Sequence, residues 1–407
     1  MSRRRPLIAL FVDRLTDGGV QRSFLALAAA FQAKGCSASL VIGDDLGRHQ
    51  QPIADGIELV TLTSGSIGSR LRADAQLRWM AWRRGGGRHV SRLPLRWRSF
   101  IPGLTHYLEE TKPDALLSAK TLVNIVALTA KRWSRVDTRV VVSERTHLST
   151  SIGRSRRDWK ASTLPDLIRD LYGDASGIIG ISGHVADDLA TLGAIDRARI
   201  TTVHNGLLRP EALDLPASDH RWFGESPPVI LSVGRLSKEK DFPTLIRSFA
   251  LLRAHREAKL IIVGEGRERE SLEALTHELG VSKDVDLPGF SNNPYAYMKS
   301  ASLFVMSSTH EGFGNVLLEA LAAGCPVMST DCPGGPPEIL DGGRIGPLVP
   351  VGNPEAMARE MAKILDAPPE RTCLIERAAD FDMESVAERY LACLLPDRFG
   401  AGYETAA

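Results

Sequence analysis

Two carboxylates, Glu311 and Glu319, stand eight positions apart in the run Ser-Thr-His-Glu-Gly-Phe-Gly-Asn-Val-Leu-Leu-Glu, residues 308–319. Gly312, Phe313 and Gly314 follow the first acid. A helical run then starts, with Asn315 as its expected N-cap and Gly324 as its expected stop. This order puts Glu311 on a loop, glycine amides beside the positive end of a helix, and Glu319 about one turn inside that helix. Carboxylates only accept hydrogen bonds and suit the hydroxyls of a sugar or a ribose, whereas bare amides suit phosphate. Two acids flanking one bond would mean hydrolysis. A loop position and a helix position instead mark the two ends of one elongated ligand, and a nucleotide-sugar carries its groups in that order. The rival reading makes Glu319 a surface residue and Glu311 an ordinary loop acid. Leu318 and Leu321 on either side of Glu319 count against it.

Three more loops could do chemistry. Asp17-Gly18-Gly19-Val20 lies between a first strand and a helix running through Phe31, where two glycines let the backbone approach an anion or simply make a tight turn. In "LSVGRLSKEKD" (231–241) a buried strand ends at Gly234, and Arg235 and Lys240 follow in a polar loop. A planar fork and a mobile point charge at a strand's carboxyl end are what a diphosphate requires. A solvated loop, shared with Lys238 and Glu239, is the alternative. In "IIVGEGRERESL" (261–272) the Gly264-Glu265-Gly266 turn is half a dinucleotide fingerprint, with Arg269 where the third glycine would stand. A nucleotide-side turn fits it better than NAD binding.

Short β-branched runs alternating with helical patterns must position these loops. Strands are expected near 6–12, 37–42, 57–62, 114–118, 138–143, 177–181 and 199–203, then near 228–233, 258–263, 284–287, 302–306, 326–330 and 346–349. Helical periodicity fills 20–34, 103–111, 120–133, 163–173 and 183–193, then 241–255, 267–280, 292–299, 315–323, 354–366 and 383–395. Such alternation predicts parallel sheets covered by helices on both faces, twice over. In doubly wound sheets the ligand sits beyond the carboxyl ends of the strands, which is where these loops fall.

The chain of 407 residues is too long for one core. We expect an N-terminal domain over 1–206, a Pro-rich linker over 207–228, and a second domain over 229–380. A tail over 381–407 carries a last helix. Five cysteines are scattered without metal-ligand spacing, which fits a reducing cytoplasm and no disulfide scaffold or zinc site. "MSRRRPLIALFVDR" has an apolar run too short for a signal sequence and reads as a buried strand, and no run is long enough to span a membrane. The net charge of +1 hides an asymmetry. Residues 1–205 hold 30 basic and 19 acidic side chains, and residues 206–407 hold 20 and 30. The halves meet different partners, or attract each other across a cleft. Residues 67–98 contain nine arginines, one acid (Asp74), and Trp79, Trp82 and Trp97. Trp beside Arg suits an interfacial segment on anionic lipid. Nucleic acid is a rival without a supporting motif, and a solvated loop with packed Trp residues is the bland reading.

Taken in order, Gly18-Gly19, Gly234-Arg235 with Lys240, Gly264-Glu265-Gly266, and Glu311 with Glu319 resemble glycosyltransferase family 4. Leu231 to Leu340, ending "EALAAGCPVMSTDCPGGPPEIL", is similar to its bacterial lipopolysaccharide and glycan-assembly branch. The first half resembles it only through Gly18-Gly19, "VVVSERTH" (140–147) and "VHNG" (203–206). The resemblance implies α/β architecture of the GT-B type, two doubly wound, Rossmann-like parallel-sheet domains facing a cleft, with the helix of 381–407 returning to the first domain. It implies a retaining, metal-independent hexosyltransferase with no cofactor, using a nucleotide diphosphate-sugar, a UDP-sugar by preference, as co-substrate. The acceptor would be a glycan or lipid-linked molecule at the cytoplasmic face of the membrane, with residues 67–98 against anionic lipid. By the family pattern Arg235 and Lys240 hold the diphosphate, Glu319 the ribose, and Glu311 the donor sugar. The amides of Phe313, Gly314 and Asn315 lie along the diphosphate, and Gly289-Phe290 lies beside the base. Many members carry a His-Asp or similar pair after the strand "RVVVS". Here Glu144-Arg145 stand there, with His147 beyond. His147 is therefore a candidate to face the transferred sugar, with Asp17, Glu144 and Arg145 on the acceptor side. Asp284-Val285-Asp286 and Asp380-Phe381-Asp382 match a metal-binding Asp-x-Asp by chance expectation alone. A UDP-sugar 2-epimerase of the same fold and a non-catalytic sugar-nucleotide sensor are the alternatives. Conversion of the donor alone, or binding without turnover, would mark them.

Overall fold

A computed structural model describes residues 4–15, 18–44, 53–63, 66–84, 90–152, 159–207, 216–224 and 227–400. The chain divides into two compact units, residues 1–208 with 383–407, and residues 209–382.

In the first unit seven strands form one parallel sheet. They are β1 (Leu7–Val12), β2 (Ser37–Asp44), β3 (Glu58–Thr63), β4 (Ala115–Ala119), β5 (Arg139–Glu144), β6 (Gly177–Gly180) and β7 (Ile200–Thr202), in the order β3-β2-β1-β4-β5-β6-β7. Central strands such as β1 (LIALFV) and β4 (ALLSA) are apolar on both faces because helices cover both. Edge strand β3 is half-exposed along its length. On one face α1 (Gly19–Ala33) turns Phe24, Leu27, Ala28 and Phe31 onto the sheet. On the other face pack α2 (Ile67–Arg84), α3 (Leu95–Arg98), α4 (Phe100–Thr111) and α5 (Thr121–Ser134). Further along lie α6 (Leu148–Ser151), α7 (Trp159–Leu171) and α8 (Gly183–Gly193).

The second unit holds six parallel strands in the order β10-β9-β8-β11-β12-β13. They are β8 (Val229–Val233), β9 (Lys259–Val263), β10 (Val285–Gly289), β11 (Leu303–Met306), β12 (Val327–Thr330) and β13 (Leu348–Val349). Its helices are α9 (Phe242–Arg253), α10 (Arg269–Glu278), α11 (Pro294–Ser300), α12 (Asn315–Ala322), α13 (Pro336–Ile339), α14 (Pro354–Asp366) and α15 (Arg371–Ala379). The chain then re-enters the first unit as α16 (Met383–Leu394) and α17 (Pro396–Phe399). Val386, Ala387, Tyr390, Leu391 and Leu394 of α16 join the core under β1. Lys34, after α1, pairs with Glu384 at 2.5 Å and with Glu388.

Two expectations need correction. Residues 67–98, where no helix is expected from the sequence, are mostly α2 and α3 in their described part. Asp74, 6% exposed, holds this region by taking Arg98 at 2.7 Å and Arg78 at 3.2 Å. Ile67, Leu71, Trp79 and Trp82 share one side of α2 and are exposed, while Trp97 packs edge-on against Phe100. The N-cap of α12 is Gly314 rather than Asn315. Gly314 sits at φ +101, a left-handed conformation that costs glycine little, and it offers no side chain to cap the helix. Gly324, at φ +68, does end that helix.

Candidate functional site

Both sheets share one topology, and its consequence is geometric. Strand order reverses between β1 and β4 in the first unit and between β8 and β11 in the second, and the crevice at such a switch point is where a doubly wound sheet takes its ligand. In the second unit this crevice gathers residues far apart in the chain. Lys240 follows β8 and Glu311 follows β11, and their side chains meet with Nζ 2.5 Å from Oε1. Ser308 donates to the same Glu311 oxygen at 2.7 Å. The two loops are tied elsewhere as well. Ser307 donates to the Lys240 carbonyl at 2.7 Å, and the Thr309 amide donates to the Glu239 carbonyl at 2.8 Å. The Lys240 and Glu311 side chains keep 20% and 14% exposure, so each can still meet a ligand. Arg235, one residue past Gly234, is exposed and makes no ion pair among the described residues.

Glycines set how closely the strand ends approach. A Cβ on Gly264, at φ +152, would stand 1.9 Å from the Gly234 carbonyl oxygen, and one on Gly266 would stand 2.1 Å from that of Leu236. The Gly264 amide donates to Gly289 at 2.8 Å, which draws β8, β9 and β10 together at their carboxyl ends. Phe290, next in the chain, is 66% exposed. Phe313 is buried against Phe381 (centroids 5.6 Å) and anchors the turn from Gly312 to Asn315. Glu319 is 1% exposed on α12, among Leu318, Ala320 and Leu321. The loop after β12 supports this turn, and residue reasoning missed it. A Cβ on Gly334 would stand 2.1 Å from the Glu311 carbonyl, and one on Gly335 would stand 2.4 Å from that of Phe313. The Glu311 amide donates to Pro333, and the Thr330 hydroxyl donates to the Ser308 carbonyl. The run "CPGGPP" was the available signal, because paired glycines after a strand mark a close backbone approach.

Residues 219–381 match the family model described as glycosyl transferases group 1, and residues 18–206 match one described as a glycosyl transferase 4-like domain. A Campylobacter jejuni protein named N-acetylgalactosamine-N,N'-diacetylbacillosaminyl-diphospho-undecaprenol 4-alpha-N-acetylgalactosaminyltransferase is 33% identical over 67% of this chain and 73% of its own length. The chain belongs to the GT-B glycosyltransferases. A lipopolysaccharide core biosynthesis glycosyltransferase of Rhizobium meliloti, LpsE, is 34% identical over 52% of the transferase described here and 61% of its own chain. Two solved structures share the fold. Anabaena Alr3699/HepE in complex with UDP has a TM-score of 0.72 at 19% identity, covering 96% of this chain and 99% of its own. The lipopolysaccharide outer core galactosyltransferase WaaB has a TM-score of 0.70 at 18% identity, with the same coverage.

In the first unit of the transferase, Gly18 precedes α1 with extended backbone and Gly19 opens the helix, while Asp17 lies outside the described residues. Glu144, Arg145 and His147 follow one another at the end of β5 but face different surroundings. Glu144 is 1% exposed and takes Thr121 Oγ1 at 2.9 Å, Asn124 Nδ2 at 3.1 Å, and the Tyr172 hydroxyl. Burial pushes its carboxyl up to about 7, against the pull of these three donors. Arg145 is buried, donates from Nη1 to Ser23 Oγ at 3.3 Å and to Asn205 Oδ1, and lies over the rings of Phe24 and Tyr390. The His147 side chain keeps 17% exposure and has Nδ1 3.6 Å from Asp188 Oδ2. The Asp-x-Asp matches are committed elsewhere. Asp284 holds Lys259 and Arg253, Asp286 holds His220, and Asp380 holds Arg377.

Proposed function

We propose that this glycosyltransferase moves a sugar, with retention and without a metal ion, from a UDP-sugar to a lipid-linked glycan or lipopolysaccharide-core acceptor. The observation that carries the reading is the Lys240–Glu311 pair in the crevice of the second unit, beneath glycine-lined loops and beside the helix that buries Glu319. Departure of a nucleotide diphosphate is the hard step, because negative charge grows on the bridging oxygen. Lys240 and Arg235 supply positive charge there, and the amino end of α12 supplies oriented amides, all preorganised and needing no metal. Glu311 takes hydroxyls of the donor sugar, Glu319 takes the ribose hydroxyls, and Gly289-Phe290 lies along the base. The leaving phosphate accepts the acceptor's proton. His147, with Asp188 3.6 Å away, is the candidate of its loop for the transferred sugar, since Glu144 and Arg145 turn into the first unit's core. The relatives support the substrate classes. One is named for a diphospho-undecaprenol-linked acceptor, one for lipopolysaccharide core synthesis, and the Anabaena structure holds UDP. The exposed apolar stripe of α2, set among arginines, suits peripheral docking on an anionic membrane surface at the cytoplasmic side.

The test is a panel of nucleotide-sugars offered with lipid acceptors extracted from Gram-negative membranes, in EDTA, with the product's anomeric configuration read by NMR. Transfer from a UDP-sugar with the donor's configuration kept is expected. Inversion or loss of turnover in EDTA would overturn the mechanism, and an epimer formed from the donor alone would make the chain an isomerase.

A further inference from the structure

The crevice in the first unit repeats the motif of the second. Asp13 follows β1 and Lys120 follows β4, the two strands on either side of the reversal, and their side chains meet with Nζ 3.1 Å from Oδ1. A denser charge cluster surrounds this pair. Arg96 donates to Asp13 at 3.1 Å and to Asp44, the last residue of β2, at 3.2 Å. Asp44 also takes Arg70 at 2.9 Å and has Arg14 Nε 3.4 Å away. Four cations thus share two carboxylates among the described residues. The acids form the floor, at 10% and 0% side-chain exposure, while Arg14, Arg70, Arg96 and Lys120 keep 28%, 21%, 26% and 37%. Among the described residues the cations outnumber the acids they touch, and like charges held this close cost Coulomb energy, which an arriving anion would relieve. A second observation concerns the backbone. Lys120 is held at φ 80, ψ 139, a conformation side chains rarely adopt, with its amide on the Ser143 carbonyl at 3.1 Å. Strain of this kind persists where the fold must aim a particular side chain.

We infer that the cluster of Arg14, Arg96 and Lys120 over Asp13 and Asp44 is an anion subsite of the first unit, taking the phosphate or diphosphate of the acceptor. The inference rests on the transferase reading and deepens it: the acceptor is phosphorylated, and the switch point of the first sheet grips that phosphate as the switch point of the second grips the donor. Guanidinium forks and a mobile ammonium are the donors that such a group needs. Arg70 pins α2 to the same floor, so an occupied subsite and the placement of that helix are linked through Asp44.

The experiment is calorimetric titration of inorganic pyrophosphate into the full chain held at saturating UDP, so that the donor site is filled. Arg14→Gln with Lys120→Gln is the variant of choice, because Asp44 keeps Arg70 and Arg96, and Asp13 keeps Arg96. The variant should bind pyrophosphate at least ten-fold more weakly, with UDP affinity unchanged, and Lys120→Arg should restore most of the loss. Equal pyrophosphate affinity in wild type and variant, or none in wild type, overturns the inference. Failure of UDP to bind would instead strike the transferase reading. A second arm separates the sources of phosphate. Neutral phosphatidylcholine vesicles carrying a polyprenyl diphosphate should sediment wild type better than the double variant, and phosphatidylglycerol vesicles should sediment both alike. Loss confined to phosphatidylglycerol would assign the cluster to the bilayer surface and overturn the acceptor assignment.

Discussion

Lys240→Met and Glu311→Gln are expected to move UDP affinity in opposite directions. The Lys240 ammonium is partnered within the chain, 2.5 Å from Glu311 Oε1, with both side chains mostly covered. A diphosphate arriving in the crevice must share that ammonium with a carboxylate of its own sign. Removing Lys240 deletes a hydrogen bond between charged groups, worth about 1.5–3 kcal/mol, and leaves the Glu311 charge facing the phosphates. UDP should therefore bind about 10- to 150-fold more weakly. Glu311→Gln keeps the shape and frees the ammonium. The carboxylate no longer competes with the phosphates for that ammonium, so UDP should bind several-fold more tightly. The intact UDP-sugar should gain nothing, because the same change removes an acceptor for the sugar hydroxyls. Titration calorimetry of UDP and of a UDP-sugar against both variants and their double mutant completes a cycle, and the coupling energy isolates the pair. If Lys240→Met binds UDP as wild type does, or Glu311→Gln weakens UDP as much as Lys240→Met, the assignment of diphosphate to the one and sugar to the other is refuted.

Gly264→Ala should lower the melting temperature of the second unit by several degrees and abolish UDP binding. Its left-handed backbone alone costs roughly 1–3 kcal/mol, and the Cβ would sit 1.9 Å from the Gly234 carbonyl oxygen. Gly173→Ala, which meets nothing within 4 Å, should melt as wild type, and equal melting of both variants would remove the close approach from the account. Stability should also fall as pH rises from about 4.5 to 7. Over that range the unfolded Glu144 carboxyl ionises near its ordinary 4.5, while burial keeps the folded one protonated up to about 7. The shift amounts to about 3 kcal/mol, present below pH 4.5 and lost by pH 7. Glu144→Gln should flatten this slope in urea titrations, and an unchanged slope would show that Glu144 does not titrate there.

The strands were legible because parallel sheets bury both faces of their strands, so "LIALFV", "VVVS" and "LFVM" read as apolar runs without reference to distant residues. The alternation of strands with helices then implied two doubly wound sheets. The helix α2 was not legible. Its regular buried face is short, with Asp74, Leu77 and Met80, and much of the rest is arginine, small residues or exposed Ile67, Leu71, Trp79 and Trp82, so no apolar periodicity points to a core. The N-cap of α12 was misplaced for a local reason. Asn caps helices well, but the chain enters from a left-handed residue, and Gly314 takes that position at less cost.

Residue types alone determined which groups could meet a nucleotide-sugar: Arg235 and Lys240 as cations, Glu311 and Glu319 as acceptors, and glycines where backbone must come close. Which of them meet was decided by the tertiary fold. Lys240 and Glu311 are 71 residues apart, and Asp13 and Lys120 are 107 apart. Each pair is joined because the two strands that carry it lie side by side in the sheet. Chain separation says nothing of such a contact, because its closure is secured by the whole sheet. The same holds for Glu144, which the family resemblance offered as an acceptor-side residue. Thr121, Asn124 and Tyr172, brought in by two other helical segments, make it a buried one.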